Sequence, residues 1–397
     1  MRTVGTVVRG IRAPIIRQGD DIAKVTAASV MAAWEEAPIV PRDRDVVAVT
    51  ESVVARAQGN YATVEQIAQD VRTKTGGGTV GVAFPILSRN RFSVLLRSMA
   101  MGCKKIVLLL SYPSDEVGNH LVTWDQLDEA GVNPYSDVLT VEEFRQKFGG
   151  TVHQFTGVDY VDFYTKLVND AGAECEVIFG NRVQTLAEYT DTVITCDIHT
   201  RQRSKRLLKA AGVKTVLGMD DILTAPVNGS GYNAEYGLLG SNKATEDTVK
   251  LFPRDCDAVA EEMSAILSKA SGKHIEAMVY GDGAFKDPVG KIWELADPVV
   301  SPGHTEGLCG TPNELKLKYL ADNDFGDLTG DALKAAIEDR IRSKTSDSLV
   351  GNMVSEGTTP RQLTDLLGSL CDLTSGSGDK GTPIIYIQGY FDNYAND

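Results

Sequence analysis

The run Ile106-Val107-Leu108-Leu109-Leu110 constrains the fold more than any other stretch. A strand with no polar face must be covered on both sides, and a parallel sheet flanked by helices does this. Further strand-like stretches follow at residues 152–155, 175–179, 192–196 and 214–217. Helical periodicity lies between them at residues 141–148, 160–171 and 202–211. Strands alternating with helices predict a doubly wound, mostly parallel α/β unit.

The flanking chain has a different pattern. Residues 3–8 read as a strand, and Asp20 and Asp21 are placed to start a helix reaching residue 36. Pro38 and Pro41 break that pattern. Asp45-Val46-Val47-Ala48-Val49-Thr50 is a buried strand that runs directly into Glu51-Ser52-Val53-Val54-Ala55-Arg56. Ser52 is placed to cap the new helix, whose free N–H groups can meet an anion, and Arg56 follows one turn later. The same residues also suit a capped helix with a solvated arginine, so two readings stand.

A second strand exit lies downstream. Val259, Met263, Ile266, Leu267 and Ala270 mark the buried face of a helix, with Asp257 as its expected N-cap and Gly272 as its stop. Residues 275–280 have strand composition and lead into Gly281-Asp282-Gly283. Asp282 is thus either a turn residue or a carboxylate for a hard cation such as magnesium or manganese. Two further stretches keep both readings. Thr195 to Arg206 carries His199, Arg201 and Arg203 after a strand, as a basic solvated face or as an anion site. His304 and Glu306 are loop residues or substrate contacts.

Bulk properties exclude several classes. A length of 397 residues allows two or three domains. A net charge of −14 argues against a general nucleic-acid footprint while leaving room for a local phosphate site. No apolar run is long enough to span a membrane, and no secretory signal is expected from the first residues. The six cysteines are scattered, which fits reduced thiols in a cytoplasmic protein.

Two blocks of this chain resemble the coenzyme F420-0:L-glutamate ligases, the gamma-glutamyl ligases of deazaflavin cofactor synthesis. The first block matches at Pro14, Ile15, Ile16, Arg17, Gly19, Asp20 and Asp21, then at Val53, Val54, Arg56, Ala57 and Gly59. The second matches at Ser241-Asn242, at Phe252-Pro253-Arg254-Asp255-Cys256-Asp257, and at Tyr280-Gly281-Asp282-Gly283. The close is similar too: an amphipathic helix at residues 360–371, a Gly-rich loop, and an apolar strand ending at Gln388. Departures are a short insertion near Arg12-Ala13, Arg56 for the usual lysine, Leu239 for a metal-binding aspartate, and Gln388 for an arginine. Glu246 and Asp247, nearby in sequence, and Asp287, five residues past Asp282, are the carboxylates that could substitute for that aspartate.

The resemblance implies a mixed α+β ligase core built from residues 1–98 and 231–397, with residues 99–230 inserted as the doubly wound α/β domain. It implies a GTP-dependent amide-bond ligase working through an acyl phosphate, with a divalent metal (Mn²⁺ or Mg²⁺). Asp282 would be the metal ligand and, with Arg56, a catalytic residue. Pro14, Ile15, Ile16, Ser52, Arg56 and Asn242 would contact the nucleotide. The substrates would be a small-molecule carboxylate and an amino acid such as glutamate, with no nucleic acid or membrane partner, and the chain would be a homodimer. Leu239 and Gln388 favour a ligase of the same fold acting on a different carboxylate and amine. A non-catalytic nucleotide- or small-molecule-binding protein is the third reading.

Overall fold

The computed structural model describes residues 3–153, 156–281, 285–286, 293–294, 299–349, 351–355, 362–376 and 378–396. It is a mixed α/β fold with two main sheets.

The first sheet has five strands. They are β1 (Val7–Ile11), β2 (Asp45–Thr50), β12 (Ile275–Tyr280), β15 (Gly303–His304) and β16 (Ile384–Gln388), in the order β1-β16-β2-β12-β15. The central pair β2 and β12 is parallel, and the other pairings are antiparallel. All six residues of β2 are buried because both faces are covered. On one face α1 (Ile22–Glu36) and α9 (Cys256–Ser271) pack Ala27, Val30, Met263 and Leu267 against Val47 and Val49. On the other, α13 (Leu363–Thr374) packs Leu367 and Cys371 against Val46 and Ala48. Full burial of a valine stabilises the fold by about 1.5–3 kcal/mol, so the alternating valines of β2 anchor both layers.

The second sheet has six strands: β4 (Thr79–Ala83), β5 (Lys105–Leu110), β6 (Leu139–Thr140), β7 (Glu174–Phe179), β8 (Thr192–Thr195) and β9 (Thr215–Gly218). Their order is β6-β7-β5-β4-β8-β9, parallel except for the edge strand β6. This is the doubly wound arrangement expected from the apolar run at 106–110. One face is covered by α3 (Val64–Thr75), α4 (Ser93–Gly102), α5 (Trp124–Ala130), α6 (Val141–Phe148) and α7 (Tyr160–Asp170). The other face is covered by α8 (Arg201–Ala210) and the turn carrying Val183 and Leu186.

Between the two sheets lies a small antiparallel one of β3 (Tyr61–Thr63), β10 (Asn242–Lys243) and β11 (Thr248–Lys250). The helix α2 (Glu51–Ala57) follows β2 without a break. A two-residue pairing of β13 (Phe285–Lys286) with β14 (Trp293–Glu294) follows β12. Near the C-terminus α10 (Leu317–Tyr319), α11 (Gly330–Ser343) and α12 (Ser346–Leu349) share a satellite core around Leu320, Ile337 and Ile341.

Several local expectations are corrected. The first strand begins at Val7, not residue 3, because its length is set by pairing with β16. No strand forms at Thr151–His153, where β6 already closes the sheet edge, and residues 154–155 lie outside the described residues. Asp255, not Asp257, occupies the N-cap of α9, and the Asp257 carboxylate instead accepts from the His304 N–H at 3.0 Å. The six-stranded sheet starts with β4, upstream of the expected boundary at 98/99, since β4 lies between β5 and β8.

Candidate active site

The parallel register of β2 and β12 fixes the site. Thr50 pairs with Tyr280, so both strands end at the same edge of the sheet. The Pro383 carbonyl ties the two ends together, accepting from the Thr50 N–H at 3.1 Å and the Tyr280 hydroxyl at 3.3 Å. Burial pushes the Tyr280 hydroxyl pKa far above its ordinary value. This edge opens on a cleft of about 690 Å³, a volume typical of small-molecule sites.

One wall is the loop from Ala13 to Ile16. Asp20 accepts from the Arg17 N–H at 2.6 Å, and the Gly19 N–H donates to the Ala57 carbonyl at 2.8 Å. Gly59 ends the turn after α2 at φ +61°, and a Cβ there would meet the Gln18 side chain. These contacts lay the loop along α2. Arg56 Nε then donates to the Ile16 carbonyl at 2.5 Å. The Arg56 side chain is exposed on the cleft, and no carboxylate pairs with it among the described residues.

The second wall is the three-stranded sheet. Asn242 stands opposite Lys250 on the β10–β11 pair, and Lys250 stands opposite Tyr61 on the β11–β3 pair. Directly opposed residues project to the same face, and all three line the cleft. Ser52 lines it as well, although not as a cap. The N-cap of α2 is Thr50, without a side-chain capping bond, and the Ser52 hydroxyl accepts from Lys250 Nζ. Asn90, from the loop after β4, and Gly378 and Gly381 complete the rim.

The electrostatics of this cleft run against those of the chain. Arg56, Lys243 and Lys250 line it, and no carboxylate does among the described lining residues. A cationic cleft on a chain of net charge −14 is a local feature that attracts anions.

Pro14, Ile15, Ile16, Ser52, Arg56 and Asn242, expected to contact a nucleotide, all face this one cleft. Asp282 and Asp287 lie outside the described residues. Leu239 is fully buried in the core with Val249 and Leu251, and so offers nothing to an ion. Glu246 pairs with Lys243 at 2.6 Å, and Asp247 with Arg97 at 2.8 Å. Among the described residues no group of three side chains is arranged to hold a metal ion. Gln388 sits at the opposite end of β2 from the cleft. Its Nε2 donates to the Val40 carbonyl at 2.8 Å and to Asp45 at 3.2 Å, an architectural role. Lys250, Tyr61 and Asn90 escaped the sequence reading. The signal available for Lys250 was its place in a short hairpin, opposite an asparagine already singled out.

The Thr195–Arg206 stretch is different. The Ile198 and His199 N–H groups both donate to Glu116 at 2.6 Å. Asp197 accepts from Thr200 and Ser204, and Asp220 holds Arg201 at 3.1 Å and Lys205 at 2.6 Å. Internal carboxylates hold Arg201 and Lys205 of this stretch, while Arg203 and Arg206 are exposed on the helix surface. No described helix is long and apolar enough to cross a membrane.

No curated protein matches the chain. The family model for F420-0:gamma-glutamyl ligase matches residues 10–389, running through both resembling blocks and the segment between them, and the chain therefore belongs to the F420-0:gamma-glutamyl ligase family.

Proposed function

We propose that this chain is a GTP-dependent amide-bond ligase that joins an amino acid of the glutamate type to a small-molecule carboxylate through an acyl phosphate. One observation carries the reading: the six residues expected to contact a nucleotide line a single cationic cleft at the exits of β2 and β12. Ile15 is 81% exposed on that cleft, an apolar surface suited to lie against a flat base.

In the proposed reaction a substrate carboxylate oxygen attacks the γ-phosphorus. The bond from that phosphorus to the β-phosphate bridging oxygen breaks, and GDP leaves. The amine then attacks the acyl carbon, a proton leaves the nitrogen, and phosphate departs. Charge accumulates on phosphate oxygens in the first step, and preoriented cations stabilise it there. Arg56, aligned by the Ile16 carbonyl, is placed to do this. Ser52 and Asn242 supply hydrogen bonds that orient the phosphates or the base. Asp282 stands as the proposed ligand of a divalent cation (manganese or magnesium), which would neutralise phosphate charge. No group of three side chains among the described residues is arranged for a metal ion, and the roles of Arg56, Ser52 and Asn242 are independent of one.

The burial of Leu239 favours a second reading, a ligase with the same cleft and a different carboxylate and amine. Gln388 lends that reading no weight, since it lies at the far end of the sheet. The experiment is to incubate the purified chain with GTP, Mn²⁺, glutamate and F420-0. Formation of a glutamylated product supports the first reading. GTP turnover without that product, but with another acid and amine, supports the second. Absence of nucleotide binding and turnover refutes both.

A further inference from the structure

We infer that Lys250 is a fixed phosphate-binding cation of the cleft, held ready by Glu51; the inference rests on the nucleotide reading of that cleft. Lys250 lies in the middle strand of the three-stranded sheet, between Asn242 and Tyr61 in register, and all three line the cleft. Its side chain is only 12% exposed, whereas Arg56 is exposed. Its ammonium donates to the Ser52 hydroxyl and lies 3.7 Å from the Glu51 carboxylate. Glu51 is itself buried and held by the Thr50 hydroxyl at 2.7 Å and the Ser52 N–H.

Among the described residues these contacts do not exhaust the ammonium. It has three donors, of which the Ser52 hydroxyl takes one, and the Glu51 oxygen is at ion-pair rather than hydrogen-bond distance. A lysine kept in a partly buried position with donors in reserve, on the wall of a cleft without a carboxylate among its described lining residues, is arranged for an external anion. The neighbouring Lys243 differs, being tied to the exposed Glu246 as a surface pair. Glu51 does not line the cleft. It acts on the ligand only through Lys250 and is therefore a positioning residue.

The test is titration calorimetry of the wild-type chain, K250M and K250R with GTP, ATP, guanosine and adenosine, each with Mg²⁺ and at two salt concentrations. K250M is expected to weaken binding of the favoured triphosphate roughly tenfold to hundredfold, the range for losing a charged hydrogen bond. Binding of the matching nucleoside is expected to stay unchanged, the salt dependence to become shallower, and K250R to recover part of the loss. Triphosphate binding by K250M equal to wild type overturns the inference and leaves the nucleotide reading standing. Wild type that binds none of the four overturns the nucleotide reading and this inference with it. Should K250M misfold because Glu51 is left buried without its cation, E51Q/K250M removes that charge, and the same loss of triphosphate binding is expected from it.

Discussion

The two main sheets use the same device, a buried strand opening into a helix that carries basic residues, and reach opposite ends. In the five-stranded sheet β2 opens into α2, and the cations there face a cleft of about 690 Å³ without a carboxylate among its described lining residues. In the six-stranded sheet the order reverses between β4 and β8, the place where an open α/β sheet ordinarily binds its ligand. There Glu116 takes the Ile198 and His199 N–H groups, Asp197 the Thr200 hydroxyl, and Asp220 the Arg201 and Lys205 cations. The cavity at that point, lined by Ile86, Phe92, Cys196 and Ile198, is about 20 Å³, room for a water molecule and no more. Charge type and fold position are thus insufficient signs of a site. What separates the two regions is an exposed arginine left on an open cleft, as Arg56 is, against one tied to an internal carboxylate, as Arg201 is to Asp220.

This contrast can be broken by experiment. The largest effect is expected at Asp282. Asp282→Ala should abolish metal-dependent GTP turnover while the unfolding transition keeps its midpoint, and surviving turnover would remove Asp282 from the site. Next comes a pair of arginines. Arg56→Ala is expected to lower turnover by about 10²–10³, the range for losing one oriented donor to developing charge. Arg201→Ala, which loses the internal pairing with Asp220 and a hydrogen bond to the Ile198 carbonyl, should leave turnover unchanged. Equal losses in the two variants would erase the distinction between the sheets. Smaller is the cost of Glu116→Ala, which strands the Ile198 and His199 N–H groups. Urea denaturation should show about 1–3 kcal/mol of lost stability without a change in GTP affinity.

The smallest difference between the two regions is expected in their buried thiols, which serve as a control on the comparison. Burial pushes the Cys256 thiol from 9.0 up to about 12 in the first region, and Cys103 and Cys175 up to about 11 in the second. The fold favours the protonated thiol in each case. That stabilisation is complete below pH 9, where the unfolded chain is also protonated, and it drains away as pH climbs toward 11 to 12. Denaturation at pH 8 and pH 10 should show stability falling in wild type, Arg56→Ala and Arg201→Ala alike.

Much of this was legible in the residues, for reasons that can be named. Continuous apolar runs such as Ile106 to Leu110 and Val46 to Val49 admit one environment, so the buried strands and the doubly wound sheet follow from them. The set that lines the cleft was legible through resemblance, since Pro14, Arg56 and Asn242 are far apart in sequence. Boundaries depend on partners and read poorly. The strand at Val7–Ile11 is placed by β16, and β4 belongs to the second sheet because of neighbours that come later in the chain. Lys250 was missed because its meaning comes from register across three short strands, of which the sequence offers only the hairpin opposite Asn242 as a signal. Gln388 was misleading because its substitution is a matter of sheet architecture at Asp45, not of the cleft.

The most direct test of the central claim is photocrosslinking with an azido-GTP analogue followed by peptide mapping. Labelling confined to peptides containing residues 13–16, 52–56 and 242–250, and competed by GTP, is the predicted result. Competed labelling of residues 196–206 instead, at the switch point of the six-stranded sheet, would contradict the account.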